Sequence, residues 1–174
     1  VGNTFDNESF YEDNILWEFS ASDDSDFGYS YGEPIIAKVN YSAGASDRNG
    51  TADGRWAVIV SNGYGADEAA LFILFLDGGL DGSWTEGTDY IKLTVDSSVD
   101  NGLSSATGIE FDDDGKLDRV YAGDLEGAMW AFDIKKATSS SDYATDWTSY
   151  KLFTTNSNRP ITSPPVIARN KAHS

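Results

Sequence analysis

The alternation of apolar and polar positions along the chain has mostly period two. Ile15, Trp17 and Phe19 interleave with Leu16, Glu18 and Ser20, and Trp130, Phe132 and Ile134 interleave with Met129, Ala131 and Asp133. Side chains two apart share one face of a strand, so both stretches predict strands. Residues 56–60 (WAVIV) and 71–76 (LFILFL) are unbroken apolar runs bounded by Gly, Asn and Asp, the pattern of strands buried on both faces. No long stretch keeps a period of 3.6, so the expected class is all-β.

Three of these stretches align. LWEFSA begins at Leu16, ILFLDG at Ile73 and MWAFDI at Met129, offsets of 57 and 56 residues. NGLSS from Asn101 and RPITS from Arg159 repeat the spacing at 58, and VIVSN ending at Asn62 matches VYAGD ending at Asp124 at 62. A multi-strand repeat of this length is the signature of propeller blades. The alternative, a β-sandwich with chance likeness between strands, is the weaker reading. The expected division of residues 1–174 is a blade end over 1–21, a blade over 34–95, a second blade over 105–153 and the start of another from 164 to 174. Propellers close with several blades, so these predict part of a β-propeller whose remainder lies elsewhere in a longer protein. Segments 22–29, 43–54 and 137–146, rich in Ser, Gly and Asp, are expected as flexible links at hairpin tips.

Within the second unit, residues 110–118 (EFDDDGKLD) gather five acidic residues. With Glu110 as position 1, Asp112 falls at 3, Asp114 at 5, Gly115 at 6, Lys116 at 7 and Asp118 at 9. This is the spacing of an EF-hand-type calcium loop: carboxylates at alternate positions, a Gly for the sharp turn, and a backbone carbonyl from position 7. The predicted ligands are therefore Glu110, Asp112, Asp114, the Lys116 carbonyl and Asp118. A bidentate Glu at position 12 is missing, since Tyr121 stands there, and the flanks read as strands 108–110 and 119–123. The loop is thus expected inside a β-hairpin rather than between helices. Asp113 points outward by parity. A solvated acidic turn is the plainer alternative, and Mg²⁺ fits less well because it sheds its waters reluctantly.

Charge and composition narrow the field. A net charge of −17 argues against nucleic acid and anionic membranes, both of which need Lys/Arg surfaces. With 40% hydrophobic and 13% aromatic residues the chain can bury a core. It has no cysteine, and its single histidine is His173, which leaves no Ser-His-Asp triad or His-rich zinc site within the chain. No apolar run reaches the 18 residues of a membrane span, and VGNTFDNESF does not read as a signal peptide. No catalysis is expected. Asp124 reads as the cap of the turn before Gly127, and Trp17, Phe19, Trp130 and Phe132 as blade core.

The stretch 108–134 (GIEFDDDGKLDRVYAGDLEGAMWAFDI) resembles the calcium-loop blade of the PilY/PilC family, exported bacterial proteins of type IV pilus biogenesis and the pilus tip. LWEFS at Leu16, GRWAVIVSNGYG from Gly54, NGLSS, LFTT at Leu152 and RPITSPPV from Arg159 stand in the same order, so the resemblance covers nearly the whole chain. It implies the modified propeller of that family's C-terminal half. It implies a non-catalytic part in adhesion and in pilus extension and retraction, regulated by calcium. Implied partners are minor pilins, a host or surface receptor and the remainder of the propeller. The implied location is the surface or pilus tip of a Gram-negative bacterium, reached through the periplasm. Two positions depart: Glu110 stands where the family usually has Asp, and Ala128 where it often has Asn. Two rivals are an integrin-like calcium-loop propeller and a quinoprotein dehydrogenase-like propeller. The first should repeat the acidic loop, but the matching hairpin (ASDRNGTADGRW) is poorly spaced. The second lacks the vicinal cysteines and catalytic base pair such enzymes often carry.

Overall fold

Residues 15–42, 54–98 and 100–168 are described by the structure, a computed structural model. Strands β1 (Ile35–Val39), β2 (Arg55–Ser61), β3 (Ala69–Phe75) and β4 (Tyr90–Asp96) form one sheet; β5 (Thr107–Ile109), β6 (Arg119–Gly123), β7 (Ala128–Asp133) and β8 (Thr148–Thr154) form another. A short helix, α1 (Tyr143–Asp146), lies between β7 and β8. Each sheet is an antiparallel meander in which sequence neighbours pair. Because closure entropy grows only slowly with loop length, the longer connections, such as that between β1 and β2, add little to the cost of such pairing. The fold is all-β: two four-stranded sheets in tandem.

The apolar runs act as predicted where they meet cover on both sides. In β3 every residue is buried. Leu71, Ile73 and Phe75 enter a core shared between the sheets, whereas Ala70, Phe72 and Leu74 enter a second cluster on the opposite face. The shared core joins Ile59 and Ile91 of the first sheet to Leu117, Val120, Trp130 and Phe132 of the second. Emptying one such aromatic site, Phe72 or Phe132, costs about 3–5 kcal/mol. Strand β2 is covered less evenly: Trp56 is 49% exposed, so the expectation of burial on both faces fails at that end.

Residues 15–20 carry no strand, contrary to the sequence reading. Their alternation nonetheless reports packing. Trp17 and Phe19 are half-buried in the second cluster, where Trp17 and Phe19 each meet Trp84 edge-on with centroids 5.0 Å apart, and Trp17 Nε1 donates to the Leu76 carbonyl at 3.1 Å. An apolar rhythm marks which side chains turn inward, but a strand also needs a bonded neighbour. Residues 1–14 of the expected blade end lie outside the described residues, as do 43–53 of one expected link and 169–174 of the last expected unit. The link at 22–29 is not loose: Asp24 and Asp26 are clamped by Lys92 on β4, at 3.2 and 2.6 Å.

The matched ends of β2 and β6 carry one arrangement twice. Asn62 N donates to the Ala70 carbonyl at 3.1 Å and its Oδ1 accepts from Ala70 N at 3.2 Å. Asp124 repeats both bonds with Ala128, at 2.9 and 2.7 Å. A strap that runs between the sheets is held by the Asn62 side chain, whose Oδ1 accepts from Leu103 N at 2.9 Å, and the segment after β8 is held by the Asp124 backbone, whose carbonyl accepts from Ile161 N at 3.0 Å. Asp124 further accepts from Trp130 Nε1 at 2.8 Å, so it does more than cap a turn.

Candidate metal centre

The connection between β5 and β6 is residues 110–118. Asp118 N donates to the Ile109 carbonyl at 3.0 Å, which closes the hairpin, and Ile134 N donates to the Asp118 carbonyl at 2.9 Å. Gly115 takes φ +77°, while a Cβ there would meet nothing within 4 Å, so the need for glycine is one of backbone and not of space. Asp113 also has positive φ, +64°, a conformation Asp tolerates better than most residues, and its side chain is exposed as parity predicted.

Carboxylate oxygens of Glu110, Asp112 and Asp118 all lie within 4.8 Å of one another. Oxygens on opposite sides of a Ca²⁺ bound at about 2.3–2.6 Å stand roughly 5 Å apart, so this spacing suits that ion. Asp118 is fully buried. Its Oδ2 accepts from Phe111 N at 2.7 Å, but its Oδ1 has no hydrogen-bond partner. A buried carboxylate oxygen without a partner is costly, and a cation is the group that would offset it. Glu110 Oε1 accepts from the backbone N–H groups of Asp112, Asp113 and Asp114, which folds the loop tightly around its first residue. The donor set is all hard oxygen, which fits Ca²⁺ and not a thiolate-seeking metal.

Two sequence-predicted residues sit differently. Asp114 is outside the trio: its carboxylate faces Lys116, accepting from Nζ at 2.9 Å and from N at 2.8 Å. That ammonium, then the backbone N–H, holds the Asp114 pKa below the usual carboxylate value. Lys116 thus meets the loop through its side chain and its backbone N–H.

Lys135 was not foreseen. Its Nζ lies 2.6 Å from Asp112 Oδ2 and stands over the Phe111 ring at 4.8 Å, with Arg119 near the same ring at 5.7 Å. The hydrogen bond to Asp112 raises the Lys135 pKa, burial opposes the rise, and the charges of Asp112, Asp118 and Asp114 add to it. A signal existed. Asp133 pairs with Arg119, so extending that register by two residues sets Lys135 opposite Leu117, beside the loop.

Tandem four-stranded antiparallel sheets that share a core, with straps crossing from one to the next, define a segment of a β-propeller. The chain belongs to the PilY1 β-propeller domain family, whose model matches residues 6–163. It is 30% identical over 181 residues to the type IV pilus biogenesis factor PilY1 of Pseudomonas aeruginosa strain UCBPP-PA14, covering 90% of this chain and 14% of that protein. It is 32% identical over 136 residues to a PilY1 homolog of Xylella fastidiosa, covering 72% of this chain and 8% of that protein. The crystal structure of the Pseudomonas aeruginosa PilY1 C-terminal domain superposes with a TM-score of 0.65 at 28% identity, over 90% of this chain and 33% of that one. The chain therefore spans a small part of the proteins it resembles.

Proposed function

We propose that this chain is a calcium-binding part of a type IV pilus biogenesis factor, non-catalytic, acting in pilus extension and retraction and in adhesion at the cell surface. Minor pilins, a surface receptor and further blades of its own propeller are its partners in this reading, and export through the periplasm is its route. Membership of the PilY1 family supports the pilus part. No helix among the described residues is long and apolar enough to cross a membrane.

The calcium part rests on one observation above the rest: the partnerless, buried Oδ1 of Asp118 stands in a trio with Glu110 and Asp112. Those three, with the Lys116 carbonyl, would hold the ion, and Asp114 would join by turning from Lys116. Bound Ca²⁺ would supply charge neutralisation that lets the loop keep one conformation. Isothermal titration calorimetry tests this. The protein should take up one Ca²⁺, and at a hundredfold excess over Kd its stability should rise by about 2.7 kcal/mol. Asp118→Asn should abolish both. Heat and melting curve unchanged by millimolar calcium would remove the metal from the account.

A further inference from the structure

We infer that calcium at the acidic loop is felt across the sheet boundary, at the end of β1, through the peptide group joining Lys116 and Leu117 together with the Leu117 side chain packed behind it. The inference rests on the calcium reading above and names what the ion regulates.

That peptide group faces two ways. Its carbonyl belongs to Lys116, the position-7 oxygen. Its N–H belongs to Leu117 and donates to the Lys38 carbonyl of β1 at 2.8 Å. Coordinating the oxygen of an amide withdraws electrons toward the metal and strengthens the same amide as a donor, since hydrogen-bonded groups polarise one another. The same coordination fixes the plane of the peptide, and with it the direction in which the N–H points. The next side chain makes the boundary firm: Leu117 is 7% exposed and sits in the core shared by Val39, Ile59 and Val120. The Lys116 stem is equally confined. At Gly54, beside β1, a Cβ would lie 2.7 Å from the Val39 carbonyl and 3.0 Å from Lys116 Cδ. The loop's ligand-bearing arm is therefore wedged against the first sheet, and closely packed groups move together rather than independently.

Neighbouring bonds grip the same edge. Asn40 Nδ2 donates to the Lys135 carbonyl at 2.6 Å, Thr138 N to the Asn40 carbonyl at 3.0 Å and Ser42 N to the Thr138 carbonyl at 2.9 Å. The two Thr138 bonds hold the second sheet's β7–β8 connection against the first sheet and end on no loop residue, whereas Asn40 reaches Lys135, which pairs with Asp112. The Thr138 bonds supply a reference that a loop-borne effect should leave nearly unchanged.

Amide hydrogen exchange with and without calcium, on the full chain, tests the route, with calorimetry on the same samples. With calcium bound, the amide of Leu117 and the amides of Ile35–Val39 should exchange about tenfold more slowly. The amides of Ser42 and Thr138 should change little. Leu117→Ala should still bind calcium but lose the slowing in β1; if that variant does not fold, Leu117→Val should show a reduced slowing. Calcium binding with unaltered exchange in β1 overturns the inference and leaves the metal site standing. Retention of the full β1 slowing in the Leu117 variant overturns the route. Absence of any binding heat in the unmutated protein removes the metal site and this inference with it.

Discussion

On the first sheet, Asp24, Asp26 and Glu68 surround Lys92, whose ammonium lies 3.2, 2.6 and 3.7 Å from them. On the second, Glu110, Asp112 and Asp118 surround no side-chain cation; Lys135 reaches Asp112 from outside, and one oxygen of Asp118 stays buried without a partner. Both clusters gather three carboxylates beside a strand. The first holds a counter-charge built into the chain, so it does not depend on a dissolved cation. In the calcium reading, the second would take its counter-charge from a dissolved ion. A protein that needs a fixed joint can use the first arrangement, and one that needs a joint responsive to its surroundings can use the second.

The largest expected effect comes from removing the built-in cation. Lys92→Met would leave Asp24, Asp26 and Glu68 facing one another, with the Asp24 side chain only 7% exposed. Breaking a largely buried pair of this kind, discounted for the solvent that reaches Asp26, costs about 2–3 kcal/mol. The melting temperature should fall by about 5–10 °C in a thermal melt followed by circular dichroism. Millimolar calcium should not restore it. A calcium-rescued Lys92→Met melt would break the comparison, because the first cluster would then be a cation site as well.

A somewhat smaller effect is expected in alkali, and again at the first cluster. Burial raises the Tyr90 pKa above its ordinary 10.0, and the hydrogen bond its hydroxyl donates to Asp24 at 2.8 Å adds to the rise. Burial pulls the Lys92 pKa down, but the bonds to Asp26 and Asp24 outweigh it and leave it above 10.5. Both groups hold their protons more tightly when folded than when unfolded. Their stabilisation is therefore complete below about pH 10 and is lost as pH rises through the folded values. Urea midpoints should stay level from pH 7 to about 9.5 and decline beyond. Tyr90→Phe should lessen that decline. A decline of equal size in Tyr90→Phe would assign the alkaline loss elsewhere.

Much of this arrangement was legible in the residues. The unbroken apolar run in β3 and the alternation in β7 announced strands because burial on two faces and on one leave different patterns. The offset between Asn62 and Asp124 marked equivalent hairpin ends, although their burial and strap-holding bonds depend on contacts far apart in the chain. In the loop, alternate spacing brought Glu110, Asp112 and Asp118 together, since that reflects local turn geometry. Asp114 escaped the pattern because a lysine two residues on competes for its carboxylate, and ligand spacing carries no information about counter-ions. The over-read strand at residues 15–20 shows the converse limit: periodicity reports which side chains are inside, not which backbone groups have partners. The first cluster was hidden because Lys92 is more than 60 residues from Asp24 and Asp26.

Lys135 offers the finest test of the contrast. It is the nearest thing the second cluster has to Lys92, yet its side chain is 42% exposed, against 17% for Lys92, and it reaches only Asp112 of the trio. The pair is open to solvent and screened by it, so Lys135→Ala should scarcely move the melting temperature in the absence of calcium. With calcium the sign reverses. The ammonium pairs with one carboxylate of the trio and repels a nearby cation, so its removal should tighten calcium binding by about two- to fivefold in calorimetry. Lys135→Arg should restore the weaker binding of the unmutated protein. Weakened binding in Lys135→Ala would mean that the lysine orients Asp112 for the ion rather than competing with it. The second cluster would then have a built-in cation that helps to form its site, and the distinction from Lys92 would narrow to how far each is buried.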